Sequence, residues 1–229
     1  MARAVTRTHF HNSQLIRILT GLSVMEPVAP TSEFAEKLGQ WVGFADAIGL
    51  HGVHNAVAAG RPGAKSAVAL VSVVKPDDEF AKAQAKLEAS IRTSFASNAD
   101  LLVDETTAFA PFRKFYMAHQ RDMELNVRTL RVKARARLAE ASGALKQLAA
   151  LDAAFEGILI EREKKLLTTL PSLMERRFKQ LQTERSQQEG WLARFGQELQ
   201  TVLLAELDLR LQPTLGLLEA FNDQTTQYA

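Results

Sequence analysis

A chain of 229 residues, 46% hydrophobic and 24% charged, has the composition of a folded protein with a sizeable core rather than a disordered one. Its net charge of +2 names no globally charged partner, and the absence of cysteine removes disulfides, thiolate zinc sites and cysteine nucleophiles together. The first residues carry arginines without a following apolar core, so they do not read as a secretory signal, and no stretch approaches the ~20 apolar residues of a membrane span. The expected location is therefore the cytoplasm, with a membrane reached only through a partner or a surface.

Asn12 and Ser13 are good N-caps for a short helix carrying Leu15, Ile16, Ile18, Leu19 and Leu22. Pro27 and Pro30 stop it. Thr31 or Ser32 opens the next helix, where Phe34, Leu38, Trp41, Ala45 and Ile48 keep four-three spacing. Gly39, Gly43 and Gly49 either admit a close neighbour there or interrupt the helix. Gly60 to Gly63 is a turn or linker signal, and the valine-rich run from Ala67 to Val74 has no second strand to pair with. It reads as linker, or as a segment that extends on binding. Pro76 followed by three acids is a strong helix start, with Phe80, Leu87, Ile91 and Phe95 along one face. The division expected is short helices over 1–60, a linker over 61–75 and a long-helix bundle or coiled coil over 76–229.

From Pro111 onward, Tyr116, Met123, Val127, Leu130, Ala134 and Leu138 share a face. Ser142 and Gly143 break the pattern, and a second helix follows with Leu145, Leu148, Leu151, Phe155, Ile158 and Leu166. Leu170 and Pro171 mark a boundary or kink. Beyond it, Met174, Phe178, Leu181, Arg185, Gln188, Leu192, Phe195, Leu199, Val202 and Glu206 alternate steps of four and three, which is a heptad seam. One helix from Pro171 to Leu211 would be ~60 Å long at 1.5 Å per residue and would need a neighbour. Arg185 and Gln188 either fix register in that seam or mark where the helix meets water. The fold class expected is all-α: long amphipathic helices in an up-down-up antiparallel bundle or coiled coil with a small N-terminal helical segment. The seam residues Trp191, Leu192, Phe195, Leu199, Val202 and Leu203 are the candidate self-association surface, and a homodimer or higher oligomer is the expected state.

Nine basic residues lie between Arg113 and Lys146 against three acids. At 100° per residue, Lys114, Arg121, Arg128, Arg131 and Arg135 share one face opposite the apolar stripe. That ridge reads either as a binder of phosphates, in nucleic acid or anionic lipid, or as a solvated face paired with acids of a neighbouring helix. No aromatic residue interleaves with it, so base stacking is not supported. His51 and His54 at i, i+3, with Asp46 one turn earlier, have part of a metal-ligand spacing but lack further ligands and the zinc-protease glutamate; no metal or other cofactor is expected. No glycine-rich phosphate loop or nucleophile elbow occurs, and helical rods lack catalytic concavities, so no enzyme is expected.

Tyr116, the run His119 to Met123, Leu130 with Arg131, the run Leu148 to Asp152, Pro171 and Arg177 with Phe178 resemble a bacterial family of unknown function, domain-of-unknown-function family 3348. The run Phe34 to Trp41 and the run Asp46 to Ile48 resemble its amino-terminal block, so the likeness spans most of the chain. The resemblance carries no activity, cofactor or catalytic residue. Through neighbouring genes for envelope proteins it implies a cytoplasmic accessory of an envelope-associated complex. The function expected is thus a non-enzymatic helical interaction or scaffold protein. The alternative is a phosphate-surface binder acting through the basic face of 114–135.

Overall fold

A computed structural model describes residues 13–26, 39–58, 76–97, 108–141, 143–184 and 190–227. Seven helices are bounded among them: α1 (Gln14–Gly21), α2 (Phe44–Ala58), α3 (Pro76–Ser97), α4 (Ala110–Glu140), α5 (Gly143–Leu167), α6 (Leu170–Glu184) and α7 (Trp191–Gln227). No strand occurs among the described residues. The all-α expectation therefore holds.

Helix directions follow from which residues meet. Arg131 of α4 meets Asp152 of α5, while Gln120 of α4 reaches the Leu167 carbonyl at the far end of α5, so the two are antiparallel. After the turn at Thr168 and Thr169, α6 continues in the same direction, placing Phe178 against Phe112 at the start of α4. Then α7 returns: Phe195 meets Phe112 and Glu206 meets Tyr116, so α7 runs parallel to α4. Glu79 of α3 reaches Lys133 and Arg137, and Phe95 packs on Phe115, so α3 is antiparallel to α4. The long segments make an up-down bundle in which α4 and α7 share the same direction. The short helices are attached to it, α1 on α7 and α2 on α5.

Apolar spacing explains this packing. The inward side of α4 buries Phe112, Tyr116, Met123, Val127, Ala134 and Leu138 against α7, while α1 adds Leu15 and Leu19 and α3 adds Phe80 and Ile91 to the same core. Each buried Leu or Phe contributes roughly 1.5–3 kcal/mol. One end is aromatic, with Phe178 of α6 between Phe112, Trp191 and Phe195 at centroid distances of 5.7, 5.3 and 5.1 Å.

Two boundaries differ from the spacing alone. The continuous seam after Pro171 is two helices, not one rod: α6 ends at Glu184, α7 begins at Trp191, and Arg177 pairs with Glu198 across the hairpin. Gly190 enters α7 at φ 75°, a left-handed conformation that favours glycine. Arg185 and Gln188 lie outside the described residues, as do Ala67 to Val74. The helix expected from Thr31 to Ile48 is interrupted at Val42 and Gly43 (27–38 being outside the described residues). There the Gly43 N–H donates to Asp46 Oδ2 at 3.0 Å and opens α2. In α7, Pro213 sits on the exposed side, where solvent can serve the Leu209 carbonyl that loses its helical donor.

Candidate functional site

The seam expected to hold a second copy is covered from within the chain. Trp191, Leu192, Phe195, Leu199, Val202 and Leu203 are each at most 2% exposed. The physical reason is the hairpin: folding α6 back on α7 supplies one wall, and α1, α3 and α4 supply the rest. A homodimer through these six residues would first have to empty this core.

The basic ridge divides. Arg131 donates from Nε and Nη2 to both oxygens of Asp152, at 2.9 and 2.6 Å, and Arg135 donates from Nη2 to Glu156. Both guanidinium side chains are only 12–13% exposed. Burial works against the Arg131 charge, but the Asp152 hydrogen bonds and charge outweigh it and hold its pKa above the ordinary value. These two arginines join α4 to α5 and are not offered to phosphate. Lys133 and Arg137 likewise pair with Glu79 of α3 at 2.7 Å each. Lys114, Arg121 and Arg128 are exposed and have no ion-pair partner among the described residues.

Between those cations the outward face of α4 exposes apolar side chains. Leu125 is 67% exposed and Val132 51%, and Ala118 is exposed on the same side. At 100° per residue this strip lies opposite the side that packs on α7. Two further large apolar side chains, Phe44 at 85% and Ile48 at 58%, are open on α2, which makes its main contact with α5. Leu166, assigned by spacing to the inner stripe of α5, is instead open and Leu167 is buried.

A buried polar network went unread in the sequence. Glu206 occupies a seam position and is fully buried, and it accepts from Tyr116 Oη at 2.8 Å, Gln120 Nε2 at 3.0 Å and Arg210 Nη2 at 2.8 Å. Burial, then the Glu206 charge and the hydrogen bond to it, hold the Tyr116 phenol well above its usual value, so it stays a donor. The signal was available: a glutamate at a heptad position with arginine four residues on requires a partner if buried. With its donors in place and no exposure, the carboxylate ties α4 to α7 and is closed to a substrate. His119 is also buried, edge-on to Phe115 at 4.6 Å, and burial pushes its pKa down.

His51 and His54 do not converge. His51 Nε2 pairs with Asn55 Nδ2 at 2.8 Å, His54 Nδ1 pairs with Gln147 Nε2 at 3.0 Å, and Asp46 caps α2. Among the described residues no three metal-ligating side chains cluster. A cavity of about 20 Å³ beside Thr214, Phe80, Leu130 and Ala134 has room for about one water. No helix among the described residues is long and apolar enough to cross a membrane.

Over residues 1–223 the chain matches the family described as protein of unknown function (DUF3348), and it belongs to that family. No curated protein and no solved structure matches it.

Proposed function

We propose that this member of the DUF3348 family is a non-enzymatic helical interaction or scaffold protein. The observation that carries the reading is the outward face of α4, where Leu125 and Val132 stay open beside Lys114, Arg121 and Arg128, cations with no ion-pair partner among the described residues. Large open apolar side chains grouped on one face mark interaction surfaces. Both side chains lie on the side of α4 away from the core, so this face is surplus to folding. The setting, a cytoplasmic accessory of an envelope-associated complex, is the one the family resemblance implies. The second reading, a phosphate surface, retains three of its five cations, because Arg131 and Arg135 are held by Asp152 and Glu156.

Site-specific photo-crosslinking in the native cell tests the interaction reading. A photoreactive residue at Leu125 should give discrete adducts, and one at exposed Lys146 on α5 should not. Absence of adducts at Leu125, or the same adducts at both positions, would overturn it.

A further inference from the structure

Resting on that interaction reading, we infer that the outward face of α4 docks a single acidic amphipathic α-helix of another protein. Lys114, Ala118, Arg121, Leu125, Arg128 and Val132 follow one another at steps of four, three, four, three and four. This is a second heptad seam, on the side of α4 away from α7. One row, Ala118, Leu125 and Val132, is apolar; the other, Lys114, Arg121 and Arg128, is cationic. All six are exposed, and the three cations lack an ion-pair partner among the described residues. Heptad seams are the surfaces onto which helices pack, because side chains at this spacing insert between those of a facing helix.

The charge decides the occupant. A second copy of α4 laid on the first brings six cations into the facing rows and carboxylates only on the flanks, at Asp122 and at Glu124, which Lys164 already holds at 2.9 Å. A helix with apolar residues facing Ala118, Leu125 and Val132, and carboxylates facing Lys114, Arg121 and Arg128, satisfies both rows. The make-up of the strip separates this helix from a lipid surface. At 100° per residue the six side chains span about 80° and cations run through the apolar positions, a two-row seam and not the continuous apolar face of an interfacial helix. The apolar row also has no aromatic anchor.

The test uses the full chain and two labelled four-heptad peptides with leucine facing the apolar row and glutamate facing the cations, one built for parallel and one for antiparallel pairing. Matched lysine peptides are controls, and binding is read by fluorescence anisotropy. One glutamate peptide should bind saturably, more weakly as salt rises, while the lysine peptides do not. Leu125→Asp with Val132→Asp should weaken it by at least about tenfold. Arg121→Glu with Arg128→Glu should transfer binding to the lysine peptide of the same orientation. Every variant is first shown to melt as the wild type does, which these exposed positions should allow. Failure of both glutamate peptides, equal binding of lysine and glutamate peptides, or indifference to Leu125→Asp with Val132→Asp overturns the inference. Sedimentation of the wild type with phosphatidylglycerol vesicles, lost in Arg121→Glu with Arg128→Glu and without peptide binding, overturns it in favour of lipid. Peptide failure with adducts retained at Leu125 rejects the acidic helix and leaves the interaction function standing; loss of both rejects both.

Discussion

Glu206→Ala removes, in one step, the acceptor shared by Tyr116, Gln120 and Arg210. Glu206 is fully buried and Tyr116 with it. The Arg210 side chain is 8% exposed and would keep, among the described residues, Glu163 at 3.5 Å. Gln120 would keep the Leu167 carbonyl at 2.9 Å, and Tyr116 would lose its hydrogen bond. A buried donor left unmet costs about 1–3 kcal/mol, and breaking a buried ion pair from one side costs about 3–5 kcal/mol. These terms overlap, so the expected loss is about 3–5 kcal/mol and not their sum. For a chain of this size each kcal/mol moves the midpoint by about 2–4 °C, which places the melting temperature about 6–20 °C lower. Tyr116→Phe removes one hydrogen bond to a charged group and should cost about 1.5–3 kcal/mol. Urea unfolding followed by circular dichroism measures both, and a double-mutant cycle of Tyr116→Phe with Glu206→Gln should return a coupling of about 1 kcal/mol or more. A Glu206→Ala protein that loses less than about 1 kcal/mol would refute the reasoning, because a carboxylate enclosed by these donors cannot be removed so cheaply.

The divided ridge predicts unequal costs. Arg131→Gln with Arg135→Gln leaves Asp152 and Glu156 without their guanidinium partners and should lower stability by about 2–4 kcal/mol, whereas glutamine at Lys114, Arg121 and Arg128 should change it by under about 0.5 kcal/mol. Equal effects in thermal melts would contradict the placement of α5 on α4. Acid tests the hairpin between α6 and α7. Burial pushes the Glu198 carboxyl up, but the Arg177 hydrogen bond and charge outweigh it and hold its pKa below the ordinary 4.5. A lowered folded-state pKa means that the unfolded chain takes up the proton first. The Glu198 contribution is therefore whole above pH 4.5 and is lost as pH falls through the lowered folded value. The stability difference between the wild type and Arg177→Met should shrink as pH drops below 4.5, and a difference constant through the acid range would refute the pairing.

Helix identity was legible wherever apolar residues kept strict spacing. The stripe from Tyr116 to Leu138 is the buried side of α4, and Phe80 and Ile91 are the buried residues expected of α3. Breaks carrying Gly or Pro were also legible, at Gly143 and at Leu170 with Pro171. Periodicity does not distinguish a long helix from two helices that fold back on each other. Met174, Phe178, Leu192, Phe195 and Leu199 keep one phase across 185–189, yet Phe178 packs edge-on against Phe195 across a hairpin. The same ambiguity made an intramolecular core look like a surface for a second copy. Charges were harder still. Arg131 and Arg128 look alike in sequence, and only the approach of Asp152 from α5 separates a structural arginine from one without an ion-pair partner among the described residues. The outward seam of α4 went unread because its alanine, leucine and valine row was hidden among the arginines that drew attention to that face.

The seam on α7 is interior and the seam on α4 is surface, and paired thermal melts of Leu199→Asp and Leu125→Asp, with light scattering on each, test this most directly. Leu199 is fully buried, so an unpaired carboxylate there should abolish cooperative unfolding and reduce helicity. Leu125 is 67% exposed, so the same change there should cost under about 0.5 kcal/mol and leave the midpoint within about 2 °C of the wild type. A Leu199→Asp protein that keeps its helicity and only falls in mass would show that the α7 seam holds chains together. A Leu125→Asp protein that unfolds with Leu199→Asp would show that the outward face of α4 is core, and would contradict the account.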